Sequence, residues 1–281
     1  MREALYYTTT NNGVECKLCP HNCTIQENKV GRCKVRQNIK GKLYSLNYNQ
    51  VSTIQVDPIE KKPIMNWMSG SEIFSVGSYG CNFHCGFCQN HSISLALPDT
   101  IHISPEEIVA QALSLGLPSI AYTYNEPTVF YEMMLETAKL ANEKGLKNVI
   151  VTNGFINQAP LMEILPYIDA MNIDLKAYDD PSYHNLGGKT VEDVLETIKL
   201  ASKYCHVEVT MLIVPTINDD PKKFEELLCK LKKEAPNIVI HLSRYFPRYQ
   251  YDEPATEIML MIEFKDIAEK YFKYVYLGNV R

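Results

Sequence analysis

The 281-residue sequence has no apolar run that approaches the length of a membrane span, and its opening MREALYYTTT lacks the apolar centre of a signal peptide. Positive charge is not in excess: 28 Lys and Arg stand against 33 Asp and Glu, and the net charge of -5 disfavours general nucleic-acid binding. Internal repeats and low-complexity segments are also lacking. These absences predict a cytoplasmic protein that binds neither membranes nor nucleic acid, in a compartment where thiols stay reduced.

Nine cysteines are present, and in a reducing compartment they favour metal binding or catalysis over disulfides. Seven of them fall in two groups: Cys16, Cys19, Cys23 and Cys33, and then Cys81, Cys85 and Cys88. Cys205 and Cys229 lie in or beside predicted amphipathic helices, where we expect them to serve packing.

The chain changes character near residue 70. Residues 1–70 are rich in polar and turn residues and predict a small, irregular, cysteine-rich N-terminal segment. Beyond it, strands are predicted over 72–80, 119–126, 148–154, 170–178, 206–215, 238–245 and 274–279. Helices are predicted between them over 104–116, 127–145, 159–168, 190–204, 221–235 and 255–272, the first opening with a capping box of Ser104 and Glu107. This alternation predicts an α/β fold, a partial (β/α) TIM-type barrel of parallel strands over residues 71–281, with its chemistry in the loops after the strands.

The loop after the first barrel strand reads YGCNFHCGFCQN and spaces three cysteines as C-x3-C-x2-C. One interpretation is a zinc knot, with His84 or His91 as the fourth ligand. The other is a four-iron cluster held by three thiolates, which leaves one iron for S-adenosylmethionine (SAM) to chelate. The position of the loop at the catalytic rim, and Phe87 as an apolar shield before the third cysteine, favour the cluster.

Several motifs recur in order along the chain: CKLCPHNC, GRCKVR, YGCNFHCGFCQN, AYTYNEPT, VTNGF, NIDLKAY, MLIVPTIND, HLSRYFPRY and VYLGNV. In these the chain resembles radical SAM enzymes of the pyruvate formate-lyase activating enzyme-like branch, and most closely the AmmeMemoRadiSam-system radical SAM enzymes. Members of that branch typically continue into a further paired-cysteine segment, whereas this sequence stops at Arg281, so the resemblance carries no function of that tail to this chain.

The resemblance implies a [4Fe-4S] cluster on Cys81, Cys85 and Cys88 that cleaves SAM reductively, followed by hydrogen-atom abstraction from an unidentified small-molecule or protein substrate. A reductant such as flavodoxin or ferredoxin is the implied partner. One alternative is an activase that installs a glycyl radical on a partner protein. An alternative of another class is a non-catalytic, metal-stapled electron-transfer or interaction protein.

The resemblance also indicates where SAM would bind. Glu126 takes the place of the acidic motif that accepts hydrogen bonds from the methionyl ammonium. Thr152 and Asn153 offer short polar groups to the ribose or the methionyl carboxylate, although Asn-Gly is equally typical of a turn. Asp174 and Lys176 share a strand face and would contact a hydroxyl or cation and the methionyl carboxylate, respectively; an internal ion pair is the alternative.

The first cysteine group follows C-x2-C-x3-C-x9-C in a segment with little core of its own. Four thiolates here predict a second metal site that folds the segment, and either zinc or an auxiliary iron–sulfur cluster fits the spacing. His21 is a spare candidate ligand.

The sixth barrel strand departs from the activases. They typically end it with Leu-Pro-Tyr-His, whereas the aligned residues here run from Ser243 to Phe246, so a phenyl ring replaces the imidazole. In a regular strand Arg244 faces away from Tyr245, and we predict that it lines the substrate pocket as a catalytic residue, facing the methionyl carboxylate or an anionic substrate. A surface salt bridge is the alternative.

Overall fold

The computed structural model describes residues 1–280. Its strands are Arg2–Glu3 (β1), Tyr7–Thr10 (β2), Gly13–Cys16 (β3), Thr24–Ile25 (β4), Arg36–Ile39 (β5), Lys42–Ser45 (β6), Gln50–Val51 (β7), Thr53–Pro58 (β8), Glu72–Gly77 (β9), Ile101–His102 (β10), Ser119–Tyr122 (β11), Lys147–Thr152 (β12), Ala170–Asp174 (β13), His206–Ile213 (β14), Val239–Arg244 (β15) and Val275–Gly278 (β16). Its α-helices are His91–Ser94 (α1), Pro105–Ser114 (α2), Tyr131–Glu143 (α3), Gln158–Ile164 (α4), Asp180–Asn185 (α5), Val191–Ala201 (α6), Pro221–Glu234 (α7) and Ile258–Glu269 (α8). Short 3-10 helices lie at Ile59–Lys61, Pro127–Phe130 and Leu165–Tyr167.

The architecture rests on one open sheet of eight strands. Its order is β8, β9, β11, β12, β13, β14, β15 and β16, and all neighbours from β9 to β16 are parallel. β8 runs antiparallel to β9, with Ile54 opposite Val76. Because β8 and β16 remain at the two edges, the sheet is the predicted partial barrel.

The helices of the βα units pack on this sheet through their apolar faces. The predicted capping box at the start of α2 is confirmed: the Glu107 amide donates to Ser104 Oγ at 3.3 Å, and the Ser104 amide donates to Glu107 Oε2 at 2.7 Å. Near the other edge, α7 and α8 meet through the stacked rings of Phe224 and Phe264, whose centroids are 4.5 Å apart. None of the helices within residues 1–280 has the length and apolar character that a membrane crossing requires.

A short segment, residues 59–68, packs against the amino-terminal halves of the central strands and is called the plug below. Its Ile59 and Ile64 are fully buried in an apolar cluster with Ile73, Ala121, Val149 and Ala170. The plug is also held by β14, because Glu208 accepts hydrogen bonds from the amides of Met65 at 2.9 Å and Asn66 at 2.8 Å. One end of the partial barrel is thereby closed.

The N-terminal residues form small antiparallel sheets beside the barrel, with the orders β1–β6–β5 and β2–β3–β4. A buried ion pair joins them to α3: Arg36 Nη2 lies 2.7 Å from Glu132 Oε1 and 2.8 Å from Oε2. The N-terminal segment was expected to extend to residue 70, but β8 already belongs to the large sheet. The part that stands outside this sheet therefore ends before Thr53.

Candidate active site

A cavity of about 360 Å³ lies at the carboxyl ends of the parallel strands. The loop after β9 contributes Cys81, Cys85 and Cys88 to its wall. The ends of the next three strands and the loops that follow them contribute Glu126, Thr152, Asn153, Asp174 and Lys176. All eight residues that were expected to hold a cluster and SAM therefore face one cavity.

Hydrogen bonds hold the start of the cysteine loop against the loop that follows β11. Asn125, after β11, accepts from the Ser78 amide through Oδ1 at 2.9 Å and donates to the Gly80 carbonyl through Nδ2 at 3.0 Å. Within the loop, the Phe83 amide donates to Cys81 Sγ at 3.3 Å. Asn125 thus holds the backbone before Cys81, and the Phe83 amide holds the Cys81 sulfur.

The donor set suits a cationic iron–sulfur cluster. Burial, and secondarily the Glu126 carboxylate, raise the pKa of Cys81 well above its ordinary value, and burial raises the pKa of Cys85 to about 11 although Lys176 opposes the shift. Such thiols stay protonated at neutral pH until a cation displaces the protons. Together with Cys88, these cysteines place three thiols on one wall, which fits a cluster that takes three protein thiolates.

The two histidines considered for a zinc knot do not line this cavity. The His91 ring stacks on Tyr249, with centroids 4.3 Å apart and planes inclined by 13°. His84 lies on the other side of the loop, where its amide donates to the Leu186 carbonyl at 2.9 Å. Among residues 1–280, no three His, Cys, Asp or Glu side chains converge closely enough to hold a single metal ion.

Glu126 is the centre of a buried polar network. Its Oε1 accepts from Thr152 Oγ1 at 2.6 Å and from the Thr128 amide at 3.0 Å, and its Oε2 accepts from the Asn153 amide at 2.8 Å. Burial raises the pKa of the carboxyl group in spite of these donors. Asn153 also makes the local turn considered above, since the Phe155 amide donates to its Oδ1 at 3.0 Å. The network holds these four residues in fixed positions at the cavity.

Asp174 and Lys176 form an ion pair, with 3.0 Å between Lys176 Nζ and Asp174 Oδ2. Burial opposes the charged form of Lys176, but the Asp174 carboxylate and the Cys85 thiol outweigh it and raise the pKa of the ammonium group. The pair is incompletely buried, with 19% of the Lys176 side chain and 37% of the Asp174 side chain exposed. A cation and an anion are therefore both accessible from the cavity beside the cysteines.

Arg244, which was expected to line the substrate pocket, is not among the residues that line this cavity. Arg244 Nε donates to the Thr256 carbonyl at 2.7 Å, and its guanidinium lies 4.8 Å from the centroid of the Phe246 ring. The neighbouring Ser243 faces the cavity instead, where its Oγ accepts from Asn279 Nδ2 at 3.0 Å. A strand covered on both faces has no polar alternation that identifies its inner side, so this assignment could not be made from the pattern.

Other residues that line the cavity were not predicted from the sequence. Tyr124 lines the wall and donates through its hydroxyl to Asp57 Oδ2 at 2.6 Å, and the same oxygen lies 2.7 Å from Lys62 Nζ. Lys61, Lys62 and Thr210 also face the cavity. The lysines belong to the plug, which the sequence indicates only as an irregular stretch.

The first cysteine group is also brought together, around a small separate cavity of about 20 Å³. All four members line it, namely Cys16, Cys19, Cys23 and Cys33. His21 lies beside them, but its Nε2 is within 3.0 Å of the Asn82 carbonyl oxygen. The sequence prediction of a metal here has a cavity of suitable chemistry, and the metal itself stays a prediction.

The site can be compared with known proteins. The sequence profile of the Radical SAM superfamily matches residues 75–228. An uncharacterized protein of Methanocaldococcus jannaschii is 44% identical, over 100% of this chain and 86% of its own length. The pyruvate formate-lyase-activating enzyme of Clostridium pasteurianum is 25% identical, over 53% of this chain and 64% of its own. Among solved structures, QueE from Escherichia coli has a similar fold, with a TM-score of 0.55, 18% identity, and coverage of 82% of this chain and 93% of that one. The profile spans more than half of the chain and includes the cysteine loop and the ends of β11, β12 and β13, and the protein therefore belongs to the radical SAM superfamily.

Proposed function

We propose that this protein is a radical SAM enzyme of the type found in the AmmeMemoRadiSam system, which cleaves SAM reductively and abstracts a hydrogen atom from a substrate that is either a small molecule or a protein. The observation that carries the proposal is the single cavity shared by Cys81, Cys85 and Cys88 with Glu126 and the Asp174–Lys176 pair. A low-potential carrier such as flavodoxin or ferredoxin is the proposed reductant.

The three cysteines would hold a [4Fe-4S] cluster through their thiolates. When bound, the cluster and SAM supply an electron, cleavage of a sulfonium C–S bond and a 5′-deoxyadenosyl radical. The residues of the chain itself would bind and orient SAM and exclude water from the cavity.

Charge complementarity supports the assignment of the SAM groups. The Glu126 carboxylate is buried and retains acceptor capacity toward an ammonium group, which would restore its charged form despite the raised pKa. The Lys176 ammonium is held in its charged state by Asp174 and suits a carboxylate. Opposite charges placed at separate points of one wall would orient the zwitterionic methionyl end of SAM.

The decisive experiment compares the wild type with Cys85→Ala after anaerobic reconstitution with iron and sulfide. The wild type should contain a cluster, give a resonance signal that SAM perturbs, and form 5′-deoxyadenosine when reduced. Cys85→Ala should lose about four irons per chain and all detectable product. Cys205→Ala is the matched control, because this cysteine lies between α6 and β14, far in sequence from the loop, and contributes to neither cavity. Normal turnover in Cys85→Ala would refute the proposal.

A second candidate, a glycyl-radical activase, is favoured by the similarity to the activating enzyme of Clostridium pasteurianum. Incubation of the reconstituted protein with a glycyl-radical enzyme encoded beside it should then produce a protein-based radical signal. Formation of 5′-deoxyadenosine without that signal would favour the first candidate.

A further inference from the structure

The small cavity of the first cysteine group lies outside the proposed SAM site and has a different wall. Besides the four cysteines, its lining includes the apolar Leu18, Ile25 and Val129 and the two arginines Arg32 and Arg36. Four cysteines around one small cavity match the donor number of a structural metal centre, and metal binding would draw their sulfur atoms together around the ion.

An independent observation points to a ligand in this cavity. Arg36 lines it and is only 1% exposed. Its terminal nitrogens are used, Nη2 by the Glu132 carboxylate and Nη1 by the Leu5 carbonyl at 3.3 Å. Its Nε, by contrast, is buried and has no hydrogen-bond partner among residues 1–280. A buried donor without an acceptor is destabilising, so a missing acceptor is expected at this position.

We propose that Cys16, Cys19, Cys23 and Cys33 bind a metal as a tetrathiolate centre, and that Arg36 Nε–H donates a hydrogen bond to one of the metal-bound thiolates. Four thiolates around a divalent cation carry a net charge of about -2, and a four-thiolate iron–sulfur cluster is likewise anionic. Arg32, which also lines the cavity, supplies complementary positive charge, whereas the charge of Arg36 is already paired with Glu132 and leaves its Nε–H as the available donor. Each cysteine releases its proton as the metal binds.

The proposed centre abuts the loop that carries Cys81. A Cβ atom at Gly80 would lie 2.9 Å from the Cys33 carbonyl oxygen, so the two backbones touch directly before Cys81. On the other side of Cys81, His21 Nε2 is within 3.0 Å of the Asn82 carbonyl oxygen, and the His21 ring packs on Phe155 with centroids 4.9 Å apart. Metal binding at the first group would therefore fix the backbone on both sides of Cys81.

The test uses the full chain with Cys81, Cys85 and Cys88 all changed to alanine, so that every bound metal belongs elsewhere. Elemental analysis should find about one zinc or about four irons per chain, which also distinguishes the two forms of the centre. Adding Cys19→Ser and Cys33→Ser should remove that metal, whereas adding Cys205→Ser should retain it. A folded triple variant without metal, or metal that survives both serines, would overturn the proposal. Either result is independent of whether the wild type cleaves SAM.

The role of Arg36 is tested separately with Arg36→Lys, which keeps the positive charge and removes the Nε–H group. Loss of a hydrogen bond to a metal ligand should weaken metal affinity by about 10–100-fold in a chelator competition. Should the variant fail to fold, wild-type protein labelled with 15N-arginine gives a second measurement. The Arg36 Nε–H resonance should shift on metal loading, and an unchanged resonance or an unchanged affinity would exclude the hydrogen bond.

Discussion

Gly80→Ala should destabilise the protein through two separate effects, because Gly80 has a φ of +91° and its Cα faces the N-terminal segment. A side chain in the left-handed region costs about 1–2 kcal/mol. The added Cβ would also lie 2.8 Å from Val35 Cγ1 and 2.9 Å from the Cys33 carbonyl oxygen, distances that force the backbone to move. Overpacking of this kind costs about 1–3 kcal/mol, which gives a total loss of about 2–5 kcal/mol.

Gly145→Ala is a matched control, since Gly145 has a similar φ of +79° but no atom within 4 Å of its virtual Cβ. It should lose only the conformational contribution of about 1–2 kcal/mol. Thermal unfolding of the two variants, prepared identically under anaerobic conditions, separates the effects because 1 kcal/mol corresponds to about 2–4 °C in a domain of this size. Equal melting temperatures for the two variants would refute the proposed contact between the cysteine loop and Cys33.

Three further predictions concern charged and polar groups. Burial opposes ionisation of Glu208, but hydrogen bonds from two histidines and two backbone amides hold its pKa at about 2, below the ordinary 4.5. The contribution of Glu208 to stability should be complete above pH 4.5 and lost as the pH falls toward 2. In acid-unfolding titrations, Glu208→Gln should remove this pH dependence and lower the free energy of unfolding by about 2–3 kcal/mol. An unchanged titration would contradict this prediction. Lys176→Met should weaken SAM binding about tenfold or more in anaerobic calorimetry, because it removes the ammonium paired with Asp174; wild-type affinity would exclude Lys176 from the site. Tyr124→Phe removes one donor to Asp57 and should lower the free energy of unfolding by about 1 kcal/mol in urea titrations, and no loss would show that water replaces the hydroxyl.

The barrel was predictable because its helices and strands carry strong local signals. Ser104 and Glu107 marked the start of α2, and apolar runs bounded by turn residues marked the parallel strands of the large sheet. The cavity residues followed from the same logic, since loops after parallel strands meet at one end of a sheet. Cys85 and Glu126 could thus be placed together although they are 41 positions apart in the printed sequence.

The missed features depend on pairing that local sequence does not encode. β8 reads TIQVDP, a short strand whose proline ends it, and only its register with β9 assigns it to the large sheet. Ser243 and Arg244 are both half-buried at the end of β15, so alternation could not decide which one faces the cavity. The unpartnered Nε of Arg36 is likewise invisible without the fold, because its surroundings come from residues 5, 16, 33 and 132.

The hydrogen bonds that secure the plug have a consequence for the order of folding. Met65 donates to an acceptor 143 positions further along the chain, on a strand that pairs only with β13 and β15. Contacts of such long sequence separation form late, because the entropy of loop closure is lost before they contribute. The amide hydrogens of Met65 and Asn66 should therefore exchange with solvent until β14 has joined the sheet, and in the native protein their exchange should report on the opening of the whole barrel and not of the plug alone.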